Sequence, residues 1–167
     1  MESMKVRDQL DARVIRNASE GDSAEAHGKY HFVCRGPDGK IKWEANYENN
    51  VPSGTGKSYS PDGVLIQETT YSNNGKDQSK KIYYKDGSLF QEVQSVGGRL
   101  TGDWKVYHPN GRLAHVKSYD QDGVKISEQY FDEQGKVVID GLWQGHNQKG
   151  EITGPFRLKN GVREDGF

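Results

Sequence analysis

The sequence predicts an all-β protein, an elongated single-layer antiparallel meander of about five 24-residue β-hairpin repeats. Three observations carry this. Gly39, Gly63, Gly87, Gly111 and Gly135 stand 24 residues apart, so the chain is periodic. The residues around each glycine repeat in matched columns. The composition suits strands and tight turns, with 21 Gly and nine Tyr but only five Pro in 167 residues. The apolar fraction of 32% is below the ~45–50% of an average globular domain and fits a thin sheet with two wet faces.

The columns are clearest with each of these glycines numbered zero. Position −1 holds Asp38, Asp62, Asp86, Asn110 and Gln134, and position −2 holds Pro37, Pro61, Lys85, Pro109 and Glu133. Proline fixes φ for the second residue of a type I turn, and Asp or Asn suits the third. Glycine then closes a three-residue hairpin loop with a left-handed bulge residue. Gly39, Gly63, Gly87, Gly111 and Gly135 are therefore the structural turn residues. In this register position −4 faces position +2, which pairs Tyr59 with Leu65, Tyr83 with Leu89, Tyr107 with Leu113 and Phe131 with Val137. Position +8 adds Tyr47, Tyr71, Ser95, Tyr119 and Trp143.

Taken in order, residues 1–27 carry no repeat column and form an N-terminal extension. Its "ASEGDSAEAHG" is polar, while "ARVIRN" alternates as a capping strand or a short helix would. Residues 28–167 form the repeat array. About ten strands run from Lys29 to Trp143, joined by the five turns and by "NNVPSG", "NNG", "GGRLTG", "DQDG" and "QGHNQKG", which are turn-rich. "GPFRLKNGVREDGF" is a partial sixth unit that acts as the C-terminal cap. One unit cannot bury its own face, so stability must come from neighbouring units.

The stretches "GKSYSPDGVLIQETTY", "KIYYKDGSLFQEV" and "GDWKVYHPNGRLAHVKSY" resemble the bacterial variant of the MORN (membrane occupation and recognition nexus) repeat. Thr101–Leu113 fits that pattern best, and the resemblance spans about Gly28 to Gly161. It implies a string of β-hairpins. It also implies the company this variant keeps in bacteria, which is antitoxin components and immunity proteins for secreted toxins.

Catalytic chemistry is not legible. "VPSGTGKS" imitates a phosphate-binding loop, but Val51 stands where the first glycine belongs, and the segment leads into a strand rather than a helix. His31 and Cys34 lack a second pair at metal-ligand spacing, and Cys34, placed opposite Lys42, reads as a packed thiol. His108 and His115 read as exposed strand residues. No catalytic residue, metal ligand or cofactor is expected, and the chain is not expected to be an enzyme. The net charge of −1 argues against nucleic acid as a partner, and the scattered basic residues give no reason to expect membrane contact.

The candidate binding residues are aromatic and acidic. Position +5 holds Glu44, Glu68, Glu92, Val116 and Asp140. Strict alternation places this column on the face opposite the Tyr/Leu column, across from position −7, where Lys80 is the one cation. The result would be an acidic ladder for a basic partner surface. Trp43, Trp104 and Trp143 are expected near strand ends, incompletely covered and suited to anchor a partner. The loops around Asn49–Gly56 and Gly145–Gly154 and the tail before Gly28 are alternative surfaces. The expected function is a non-catalytic bacterial immunity or antitoxin protein that neutralises a cognate toxin effector by direct binding. The alternative is a structural or membrane-proximal interaction scaffold. A soluble protein is expected, periplasmic if a leader has been removed ahead of "MESM" and cytoplasmic otherwise.

Overall fold

The computed structural model describes the backbone of Ile15 and Arg16 and residues 28–165. No helix occurs among the described residues. Thirteen strands follow: β1 (Ile15–Arg16), β2 (Lys29–Arg35), β3 (Ile41–Glu48), β4 (Val51–Tyr59), β5 (Leu65–Ser72), β6 (Asp77–Tyr83), β7 (Leu89–Val96), β8 (Arg99–Tyr107), β9 (Leu113–Tyr119), β10 (Lys125–Tyr130), β11 (Gly141–His146), β12 (Ile152–Lys159) and β13 (Val162–Arg163). Sheet order equals sequence order from β1 to β10, and β11, β12 and β13 make a second sheet. The fold is the all-β antiparallel meander of hairpins that the periodicity predicts. The chain divides into two compact units at Gln78/Ser79, inside β6.

The five repeat turns share one closure. The amide of Gly63 donates to the Ser60 carbonyl and the amide of Ser60 to the Val64 carbonyl, and the same two bonds recur around Gly39, Gly87, Gly111 and Gly135. All five glycines sit at φ between +78° and +87°. This is the expected three-residue loop. The return connections differ. Asn49–Asn50, Gly97–Gly98 and Asn160–Gly161 have positive φ at both residues, the twist-matched two-residue hairpin turn that favours Asn and Gly.

The expected facing pairs form where Tyr59 meets Leu65, Tyr107 meets Leu113 and Phe131 meets Val137. Beyond the first two of these pairs the register slips. Gln67, not Ile66, faces Ser58, and His115, not Ala114, faces Val106. One extra residue at position +3 therefore makes a β-bulge. In the first unit the same bulge falls at Lys42, so Cys34 faces Trp43 rather than the expected Lys42.

Ile15–Arg16 pairs with Tyr30–His31, so this part of "ARVIRN" adds a strand to β2. The rest of residues 1–27 lies outside the described residues. In the first unit, Tyr30 stacks on Tyr47 at 5.5 Å and Phe32 meets both rings edge-on.

In the second unit, β11 and β12 lie against β9 and β10 as a second layer. Ala114, Tyr130, Trp143 and Leu158 form a buried core there, with Val138 and Phe156 packed on it. The physical cause is the aromatic content of β10–β12. Tyr130, Trp143 and Phe156 meet pairwise at centroid distances of 5.0 to 5.5 Å, and removing those faces from water outweighs leaving the sheet single-layered.

Candidate interaction surface

The expected acidic ladder exists as a column but not as a free acidic face. The bulge at position +3 reverses the alternation, so position +5 joins the Tyr/Leu face instead of the opposite one. Its cross-strand neighbour is position −6, not −7: Glu68 faces Lys57 and Glu44 faces Val33. Each carboxylate is then engaged. The Tyr59 hydroxyl donates to Glu44, as does His31, whose Nε2 lies 3.1 Å from Oε2. Glu68 lies 4.0 Å from Lys57 Nζ. Glu92 accepts from the Tyr107 hydroxyl at 2.7 Å and lies 3.8 Å from Lys105 Nζ.

The titration behaviour follows from these contacts. The Tyr59 hydrogen bond is the main cause holding the Glu44 carboxyl below its ordinary value. Burial first, and then the carboxylate, pushes Tyr59 and Tyr107 up to about 12.

Glu44 is position +5 of one repeat and Tyr59 is position −4 of the next; Glu92 and Tyr107 stand in the same relation. The column is a joint between repeats. A second joint, which the sequence reading did not use, lies at position −3. The Tyr84 hydroxyl donates to the Tyr107 carbonyl, and His108 Nε2 bonds the Phe131 carbonyl at 2.8 Å. Its only trace in the sequence is the pair Tyr84 and His108, 24 residues apart, since the other units hold Gly36, Ser60 and Asp132 there.

The tryptophans divide. Trp43 is half-buried on β3. Trp104 is half-buried on β8, donating through Nε1 to Gln91, with Lys117 Nζ 5.2 Å above its ring. Trp143 is 9% exposed and donates to the Phe131 carbonyl at 3.0 Å, so it is a core residue and not an exposed anchor. The second layer covers it. The same layer explains two further corrections. His108 is 1% exposed and the His115 side chain 14%, where exposed strand residues were expected.

Apolar exposure concentrates elsewhere. Of the eight large apolar residues left exposed among those described, all but Val96 lie beyond residue 120: Val124, Ile126, Val137, Ile139, Leu142, Ile152 and Val162. Ile126 and Val162 flank a groove of about 770 Å³, floored by Tyr130, Trp143 and Phe156. Its lining carries Lys117, Lys125 and Arg163 against Glu128.

Glu128 is held from several sides. Tyr130 donates at 2.8 Å, His115 Nε2 lies at 2.7 Å and Lys125 also donates to it. Burial would raise its pKa, but these bonds outweigh burial and hold it at about 2. Burial pushes His115 below the ordinary histidine value, and its ring stacks on Tyr130 at 4.2 Å. The groove thus combines an aromatic lining and exposed apolar residues with cations that are paired, Lys125 with Glu128 and Arg163 with Asp165.

In the first unit, the expected loop surface around Asn49–Gly56 lines a second groove of about 590 Å³, together with Tyr71 and Asn73. The tail before Gly28 lies outside the described residues, Ile15 and Arg16 apart. The "VPSGTGKS" segment runs along β4, the strand context that argues against a phosphate loop.

The fold and its joints define an antiparallel β-hairpin repeat protein whose turn, aromatic and aliphatic columns recur every 24 residues. Two of its segments, residues 52–73 and 100–121, match the family model described as MORN repeat variant, so the chain carries MORN-type repeats. No curated protein matches it. Among solved structures, crystal structures of TarM align over 94% of this chain with a TM-score of 0.37. One is of a S. aureus TarM mutant in complex with Fondaparinux, alpha-GlcNAc-glycerol and UDP, at 8% identity; a second is of TarM at 9%. The alignment spans 23% of those chains, and likeness at this level carries no functional argument. No helix among the described residues is long and apolar enough to cross a membrane.

Proposed function

We propose that the protein is a non-catalytic bacterial immunity or antitoxin protein. It binds a cognate toxin effector directly through the groove of the second unit. MORN repeats suggest a protein-interaction module. The observation that carries the reading is the groove itself. Aromatic rings form its floor, and Ile126 and Val162, 66% and 67% exposed, stand at its lips. Apolar groups left in water beside a rigid aromatic floor mark a surface that gains by being covered. Lys125 is paired with Glu128 and Arg163 with Asp165, so the groove favours a partner segment that presents apolar side chains rather than a charged one. The basic partner that the Glu column suggested is set aside, because Glu44 and Glu92 are engaged with tyrosines.

The test is to mix the purified chain with the effector encoded beside it and to measure affinity and residual toxin activity. Ile126→Glu and Val162→Glu should remove binding and inhibition while melting stays unchanged, since both side chains are exposed. Failure of the unmodified chain to bind the neighbouring effector overturns the immunity role. Unchanged affinity in both folded variants overturns the groove.

A further inference from the structure

We propose that His108, Glu133 and His146 form a binding site for one divalent transition-metal ion of the zinc class. The three residues come from separate elements of the second unit. His108 precedes the turn of the fourth repeat, Glu133 lies in the turn of the fifth, and His146 ends β11. A nitrogen from each ring and a carboxylate oxygen of Glu133 lie within 4.8 Å of one another.

His108 is 1% exposed. Its Nε2 bonds the Phe131 carbonyl, which fixes the proton on that nitrogen and leaves Nδ1 with a lone pair. That Nδ1 is buried and has no hydrogen-bond partner, and Nδ1 of His146 is in the same condition. The buried, unpartnered Nδ1 of His108 calls for an acceptor of its lone pair, and the His146 ring stands 5.7 Å away. His146 Nε2 lies 3.5 Å from Glu133 Oε1, so the carboxylate already faces the histidine pair.

The donor set selects the ion. Two imidazoles and one carboxylate suit zinc and its transition-metal neighbours rather than calcium or magnesium, which take oxygen ligands. The second shell is in place as well. Phe131 holds His108, and the Glu133 carbonyl accepts from Asn110 at 2.8 Å and from Arg112 at 3.3 Å, fixing the backbone that carries the carboxylate. Glu133 and His146 also line a cavity of about 190 Å³, which gives an ion a route from solvent. Bound there, the ion would clasp two successive repeat turns to the three-stranded sheet.

The experiment uses the full, untagged chain stripped of metal with a chelator. Zinc is titrated calorimetrically and cobalt by visible absorption. The expected result is one ion per chain, cobalt bands of a low-symmetry four-coordinate site, and a higher melting temperature with zinc. Glu133→Gln and His146→Ala should each weaken binding by roughly tenfold or more, at least the effect that losing a second-shell partner has. Both keep His108, the most deeply buried member, so both should fold; circular dichroism checks this. His31→Ala, which alters a different His–Glu pair, should bind as the unmodified chain does. Absence of zinc binding, or equal affinity in folded His146→Ala, overturns the site.

Discussion

Gly145 has no room for a methyl group. A Cβ built there would sit 2.5 Å from Cη2 of Trp143 and 2.9 Å from Cζ3. The indole lies against the glycine and is wedged on its other side by Tyr130 and Phe156. Gly145→Ala must therefore displace a core ring, and thermal melting should show a loss of about 1–3 kcal/mol, the usual cost of overpacking. Gly111 fails differently. Its neighbourhood is open, but φ is +84°, so Gly111→Val meets backbone strain instead of a clash. The expected loss is again about 1–3 kcal/mol, and an unchanged melting temperature would refute the assigned turn. Glu128 supplies a pH dependence. Its native pKa, about 2, lies below the ordinary 4.5. Its contribution is therefore full above pH 4.5 and is lost as pH falls toward 2. His115, held below the ordinary 6.5 by burial, begins to withdraw stability as pH falls below that value. Glu128→Gln should flatten the acid limb of a stability–pH curve between 4.5 and 2, and an unaltered limb would contradict the network.

Between elements, the +5/−4 joint couples Glu44 to Tyr59 and Glu92 to Tyr107, and the −3/−4 joint couples Tyr84 to Tyr107 and His108 to Phe131. Tyr107 takes part in both, donating through its hydroxyl to Glu92 and accepting at its carbonyl from Tyr84. Tyr107→Phe removes only the first. Chemical denaturation should register a loss of about 1.5–3 kcal/mol, the range for a hydrogen bond to a charged group. In a double-mutant cycle with Glu92→Gln, the two losses should fall short of adding. Strict additivity would mean that the contact carries no coupling. This is also the scale at which sequence reading stopped short. The turn glycines and the pairing of Tyr59 with Leu65 were legible because Pro, Asp and Gly each have one good reason to stand where they do. The bulge at Ile66 was not legible. An extra residue leaves the 24-residue period intact while turning the following side chains to the other face, so the Glu column was assigned to the wrong side. Position −3 was overlooked because its occupants, Tyr84 and His108 among them, share no chemical type.

At the scale of the molecule, the second layer decides what is core and what is surface in the second unit. Leu158 on β12 is 1% exposed and packs with Ala114 and Tyr130 of the meander. Trp143, His108 and His115 could not be assigned to the interior from the period alone, because β11–β13 lie outside the sheet that the period describes. A chain ending at residue 140 would keep all five repeat turns and lose this cover. It should bind a hydrophobic dye, melt at lower temperature and tend to aggregate, since Tyr130 and Ala114 would face water. A shortened chain with unchanged melting and no dye binding would show that the second sheet is an appendage.

The joint at position −3 bears on how such a chain changes length over evolutionary time. Donor and acceptor sit at fixed offsets from the turn glycine, and every unit supplies an acceptor, because any residue at position −4 has a carbonyl. A copied 24-residue segment that carries Tyr84 or His108 therefore arrives with both halves of the connection and meets its new neighbours with no further substitution. An inserted piece of any other length leaves a side chain facing the wrong carbonyl. Growth by whole units, with a donor-competent residue kept before each turn, is the mode of lengthening that this geometry permits.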